Sequence, residues 1–165
     1  MTQQLSEHRH ISFTAHYTGY IWYSMGISHP VFATSKGKML AKLVHPLESW
    51  AEKFVGGSMR TTLKQRHSMI DQHLIQLIEQ HPDLQVLEIA SGLSPRGWNF
   101  RQKFPNLDYR ELDLPDMARV KTQALQKIDC NSPEVLSVEL FTADFEQAFQ
   151  VFDPNRPLVV ISEGL

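Results

Sequence analysis

Cysteine is nearly absent from this chain: Cys130 is the single one among 165 residues. An intrachain disulfide framework is therefore excluded. A lone thiol fits a reducing compartment, and a cytoplasmic location is the expectation. Long apolar runs are lacking as well, and nothing approaches the ~18 residues of a membrane span. The opening MTQQLSEHRH carries no apolar segment of the kind a secretory signal needs. No excess of one charge is present, the formal net charge being -2. Lys and Arg are scattered rather than gathered in a stripe, so neither a nucleic-acid nor a membrane partner is expected. Histidine is plentiful, at 8, 10, 16, 29, 45, 67, 73 and 81, but no two have the spacing of a helical metal motif. No functional metal site is expected.

What is present is ordinary for a globular domain: 42% hydrophobic and 21% charged residues, enough to build one sizeable core. Residues 1–60 read as irregular, with an aromatic stretch over His16–Tyr23. Met39, Leu43, Leu47 and Phe54 suit short helices broken at Pro46. Gly56-Gly57 is a breaker pair and a natural seam, giving an N-terminal helical and aromatic extension over 1–60 and a second unit over 61–165. In that second unit Leu63, Ile70, Leu74, Leu77 and Ile78 fall near a 3.6-residue period, which predicts a helix ending before His81-Pro82. Leu84–Ala90 then reads as a buried strand closed by Ser91-Gly92. Helices over Gly97–Lys103 and Met117–Ile128 are expected, as is a short helical stretch from Asp144 to Phe149. Further strands are expected over Leu107–Asp113, Val138–Ala143 and Pro157–Ile161. Strands alternating with helices predict an α/β fold: a Rossmann-like, doubly wound parallel sheet with right-handed crossovers.

Ligands of such sheets bind outside the carboxyl ends of the strands. Each expected strand ends at or near an acid: Glu88, Glu111 and Asp113, Asp144, and Glu163. Acids at successive tips suit a ligand rich in hydroxyl, amine or cationic groups. The first turn, Ala90-Ser-Gly92 with Gly97 further on, is not the G-x-G-x-x-G of a dinucleotide site, and acidic Glu88 opposes a pyrophosphate. That weighs against a nicotinamide-dependent oxidoreductase. Glu111 and Asp113 lie about twenty residues beyond the turn, where an acid can accept bonds from ribose hydroxyls. An adenosine bearing a positive centre, S-adenosyl-L-methionine, matches this pattern; a generic nucleotide-binding fold is the competing reading.

Arg66–Asp71, Val86–Arg96, Tyr109–Pro115 with Lys121, Ala143-Asp144 and Ser162–Leu165 occur in the order seen in the leucine carboxyl methyltransferase family. The aromatic opening from Thr14 to Trp22 also resembles a bacterial O-methyltransferase branch of that family. The resemblance implies a cofactor site. Arg66 pairs with the methionine carboxylate of the cofactor. Ala90 and Gly92 line the turn, glycine being common in the family where Ala90 stands. Asp113, with Glu111 close by, holds the ribose, and only one of the two is expected to face it. Asp144 and Phe145 bracket the adenine. Glu163 lies near the amino group, and Glu88 near the same moiety. Each residue also has a plainer reading. Arg66 suits a surface pair with Asp71, Asp144 a helix cap, Phe145 simple core and Glu163 a solvated terminus. Tyr17, Tyr20, Trp22 and Tyr23 suit either a lid or ordinary packing.

The implied reaction transfers a methyl group to a small-molecule carboxylate or hydroxyl acceptor. A carboxylate is already ionised at neutral pH, so no catalytic acid or base is expected. Methyltransferases of this kind have seven strands, and four are visible. The fourth then forms an exposed apolar edge, and the expectation is either a truncated methyltransferase, the cofactor-binding fragment of one, or a sheet completed by a second copy as a homo-oligomer. The alternative is a non-catalytic binding module that keeps the fold.

Overall fold

The computed structural model describes residues 2–55, 59–128, 131–139 and 142–163. Its centre is a four-stranded parallel sheet of β1 (Gln85–Ile89), β2 (Asp108–Asp113), β3 (Glu134–Ser137) and β4 (Leu158–Ser162), in the order β3-β2-β1-β4. β1 pairs with β2 on one side and β4 on the other, Glu88 standing opposite Glu111 and Ile161. All five residues of β1 are buried. Its near-continuous apolar run follows, because a central parallel strand is covered on both faces. Val86 joins Leu74, Phe100, Tyr109 and Ile161 on one face. Leu87 and Ile89 join Leu112, Ala148 and Phe152 on the other. This is the period of two expected of a strand.

The helices follow the sequence pattern in the second unit. α3 (Met59–Gln80) stops one residue before His81. α4 (Arg96–Lys103) follows the turn after β1, and α5 (Pro115–Leu125) follows β2. Pro115 opens α5 at its first position, where a missing N–H costs nothing. α6 (Ala143–Gln147) runs into a 3-10 turn over Ala148–Val151.

Two expectations fail. The third strand lies at Glu134–Ser137, not over Val138–Ala143. It sits at the sheet edge with a half-exposed pattern, so little apolar content is needed there. Its register is set by β2: Glu134 stands opposite Arg110, with an ion pair at 3.0 Å. The richer apolar segment follows the strand, and Val138 packs against the Leu87 and Leu112 face. Leu140 and Phe141 lie outside the described residues.

Nor are residues 1–60 irregular. α1 (Thr2–Ser24) and α2 (Ser35–Val55) are long helices, and α2 runs through Pro46. Tertiary pairing explains both. Gly37 lies directly against the His16 carbonyl and the Tyr20 side chain, so the helices approach backbone to backbone. Leu40 and Ala41 are buried, whereas Met39 and Leu43, the residues expected to pack, are exposed by 56% and 70%. Pro46 is exposed, and the helix forgoes one hydrogen bond on its solvent side. Thr34 caps α2 by accepting from the Gly37 N–H at 3.0 Å. The expected seam at Gly56-Gly57 lies outside the described residues. Phe32 shares a core cluster with Leu93, Met117 and Leu125, so the N-terminal segment packs into the core of the sheet unit.

No helix among the described residues is long and apolar enough to cross a membrane.

Candidate functional site

The turn after β1 opens at the carboxyl edge of the sheet. Ala90 and Gly92 both adopt φ of 52°, the left-handed region that favours glycine. α1 lies directly over this turn. A Cβ on Gly92 would stand 3.1 Å from the Ala15 Cβ, and one on Gly19 would stand 2.7 Å from the Leu93 Cβ. Asp113, the last residue of β2, holds the turn from below: its carboxylate accepts from the Gly92 N–H at 2.5 Å and from the Leu114 N–H at 2.8 Å. Burial nevertheless pushes its pKa up, outweighing both N–H groups.

Beside the turn is a buried charge cluster centred on Arg96, whose side chain is wholly inaccessible. Its Nε donates to Asp71 at 2.6 Å and its Nη1 to Glu88 at 2.8 Å. Its Nη2 lies 2.6 Å from Glu163 Oε2 and 2.8 Å from His67 Nδ1. His67 Nδ1 also lies 3.1 Å from Glu163 Oε2, so by tautomer it accepts from the guanidinium or donates to that carboxylate, not both. The ring packs 5.4 Å from that of Trp22 on α1. Burial alone would lower the Arg96 pKa; Glu88 and Asp71 overcome it and hold it above its ordinary value. Glu88 also accepts from the Tyr109 hydroxyl at 2.7 Å. Burial, then the Glu88 charge, drives the Tyr109 pKa well up.

Glu163, just past β4, joins this cluster to the surface. Its Oε1 accepts from Arg66 Nε at 3.0 Å, and its Oε2 meets Arg96 and His67. Burial would raise its pKa, but the bonds from His67, Arg96 and Arg66 bring it down to about 2. Arg66 is the rim of the group, its side chain 47% exposed.

Glu111 belongs to a second buried pair. Lys121 Nζ stands 2.9 Å from Glu111 Oε2, both side chains fully buried, and donates to the Ser94 carbonyl at 2.6 Å. Glu111 Oε1 has no hydrogen-bond partner among the described residues. Burial therefore lifts the Glu111 pKa to about 7, with Lys121 offsetting only part.

These contacts assemble most of the residues expected from sequence. Arg66, Ala90, Gly92, Asp113 and Glu163 gather at the carboxyl edge around the turn and the Arg96 cluster. Glu88 and Glu111 lie beneath, their carboxylates engaged by Arg96 and Tyr109 or by Lys121. Glu111 and Asp113 share one strand face, as residues two apart must. Of the two, Asp113 stands at the turn and Glu111 lies deeper against Lys121. Asp144 is exposed within the first turn of α6 and not its cap. Phe145 is half-buried and meets Phe149 edge-on at 5.3 Å. Trp22 is buried and Tyr23 is 40% exposed. An open groove of about 670 Å³ along α3, lined by Met25, Arg60, Lys64 and Met69, shares no residue with this edge. Chemistry favours the edge, where the buried charges converge.

The model of the leucine carboxyl methyltransferase family matches residues 29–165. The chain belongs to that family. No curated protein and no solved structure matches it. Membership in a leucine carboxyl methyltransferase family carries a general dependence on S-adenosylmethionine. The edge suits such a cofactor: carboxylates at two strand tips and one half-exposed guanidinium.

Sequence reasoning gave no role to Arg96, His67, Tyr109 or Lys121, and offered Asp71 only as a surface partner of Arg66, whereas Asp71 pairs with Arg96. Two signals could have found the cations. A carboxylate inside an apolar strand, Glu88, requires a buried partner, and Arg96 is the nearest cation along the chain. Lys121 stands at i+4 from Met117, on the face that Ala124 and Leu125 bury, so it too requires a buried acid.

Proposed function

We propose that this chain forms the cofactor site of an S-adenosylmethionine-dependent O-methyltransferase that acts on a carboxylate acceptor. The observation that carries this reading is Arg66, held half-exposed by Glu163 beside the Asp113-braced turn, in a chain of this family. Arg66 would take the cofactor carboxylate through a charge-assisted contact. Glu163, ionised down to low pH, would accept from its ammonium. Asp113 would meet the ribose beside the Ala90–Gly92 turn. Asp144 and Phe145 would bracket the adenine. Glu88 and Glu111 would act from beneath, through Arg96 and Lys121. When bound, the cofactor supplies an electrophilic methyl group on a positively charged sulfur. For an acceptor already ionised at neutral pH, the protein needs to align it and exclude water. α1, closed over the turn, would provide part of that exclusion.

Calorimetric titration tests the reading. S-adenosylhomocysteine is expected to bind, and Arg66→Ala to weaken it by about tenfold or more, the worth of a charge-assisted bond. NAD is expected not to bind. NAD binding without S-adenosylhomocysteine binding would overturn the assignment. Methyl transfer to a panel of carboxylates then separates an enzyme from a binding module.

A further inference from the structure

Arg96 is buried beyond what stability rewards. Three carboxylates, Asp71, Glu88 and Glu163, converge on its one guanidinium. Buried ion clusters seldom improve on well-packed apolar side chains, because desolvation offsets their attraction. The arrangement has a direction, however. Asp71 on α3, its side chain 28% exposed, and buried Glu88 on β1 anchor two of the guanidinium nitrogens. The third reaches one oxygen of Glu163, while the other oxygen of that carboxylate receives Arg66. A half-exposed arginine usually holds its partner loosely. Arg66 differs because its partner is 4% exposed and is fixed from behind.

We propose that Arg96 is a positioning residue for cofactor binding: by gripping one oxygen of Glu163 it sets the other, and with it Arg66, at the strand tips. This rests on the cofactor reading given above. Arg96 touches no ligand in this scheme. It transmits the rigidity of β1 and α3 to a rim cation that would otherwise rotate freely. His67 Nδ1 lies against the same pair, 2.8 Å from the Arg96 nitrogen and 3.1 Å from Glu163 Oε2. The charges facing Glu163 are Arg66 on α3 and Arg96 on α4, with Asp71 and Glu88 behind Arg96.

A double-mutant cycle on the whole chain tests it, with S-adenosylhomocysteine as the probe. Arg96→Lys and Glu163→Gln are each expected to weaken binding by about tenfold. The double variant should be within about threefold of Glu163→Gln alone, because both changes cut one linkage. NMR exchange of the Arg66 Nε–H gives a readout that needs no ligand. It should be protected in the wild type and lose protection in Arg96→Lys. Losses that multiply, or Arg96→Lys affinity within threefold of wild type, would overturn the proposal. If Arg96→Lys shows no cooperative melt, Asp71→Asn replaces it, since Asp71 anchors Arg96 without touching Glu163. Its expected three- to tenfold loss should vanish in the Glu163→Gln background, and an unchanged affinity would refute the linkage. A wild-type chain that binds no S-adenosylhomocysteine sinks the cofactor reading itself. Wild-type binding without coupling sinks only the role of Arg96.

Discussion

At the scale of single residues, Ala90 is the plainest departure from ease. It holds φ of 52°, a conformation that costs an L-residue roughly 1–2 kcal/mol. Glycine adopts it freely, at some entropic cost in the unfolded chain. Ala90→Gly is therefore expected to raise stability by about 0.5–1 kcal/mol, read as a higher urea midpoint at unchanged slope. A lower midpoint would mean that the Ala90 methyl packs usefully against the Leu87 and Leu112 cluster. Lys121 makes the opposite case. Replacing it with Met leaves Glu111 buried without a cation, a cost of about 3–5 kcal/mol where that carboxyl must ionise. Glu111 titrates near 7, so the loss should be larger at pH 8 than at pH 5.5, where its proton is already on. Equal losses at both pH values would show that Glu111 does not carry the effect. From sequence, the acids at the strand tips were legible by position. Their partners were not, because pairing Glu111 with Lys121 needs the crossover geometry that folds α5 onto β2.

The elements show where periodicity suffices and where it misleads. α3 was legible because its apolar residues repeat at 3.6 and face one sheet. β1 was legible because a central strand must be apolar on both faces. β3 was not, because an edge strand needs few apolar residues and a richer segment follows it. α1 was missed, and α2 was expected only as short helices broken at Pro46, because the two meet through Gly37 and backbone rather than through a stripe of large side chains. The same closeness recurs where α1 crosses the turn. Gly19→Ala would place a Cβ 2.7 Å from Leu93 Cβ and 3.0 Å from the Phe32 carbonyl. The expected outcome is a loss of about 1–3 kcal/mol as the helix is pushed outward. Thermal melts give the loss, and Trp22 fluorescence should report looser packing against His67. A melt matching wild type would mean that α1 is not seated on the turn.

For the whole molecule, pH integrates these local shifts. Glu163 is held near 2 against an ordinary 4.5, so its contribution is full above 4.5 and is lost as pH falls towards 2. Glu111 works the other way. Its folded form binds a proton up to about 7, so stability rises as pH falls from 7 towards 4.5. The burial-raised Asp113 acts in the same direction as Glu111. A melting temperature that rises from pH 8 to about 5.5 and falls below 4.5 is expected. Glu163→Gln should flatten the acid fall, and an unchanged fall would show that another group causes it. The sequence by itself determined the α/β architecture, the helices and central strands of the second unit, and the row of acids at the sheet edge. Periodicity and strand-end chemistry are local properties, so they can be read along the chain. Only the tertiary structure decided that Arg96 lies at the centre of those acids, that Glu88 and Glu111 sit beneath the edge, and that α1 closes over the turn. Those outcomes depend on which residues distant in the chain meet in a low-dielectric interior, where every buried charge requires a partner.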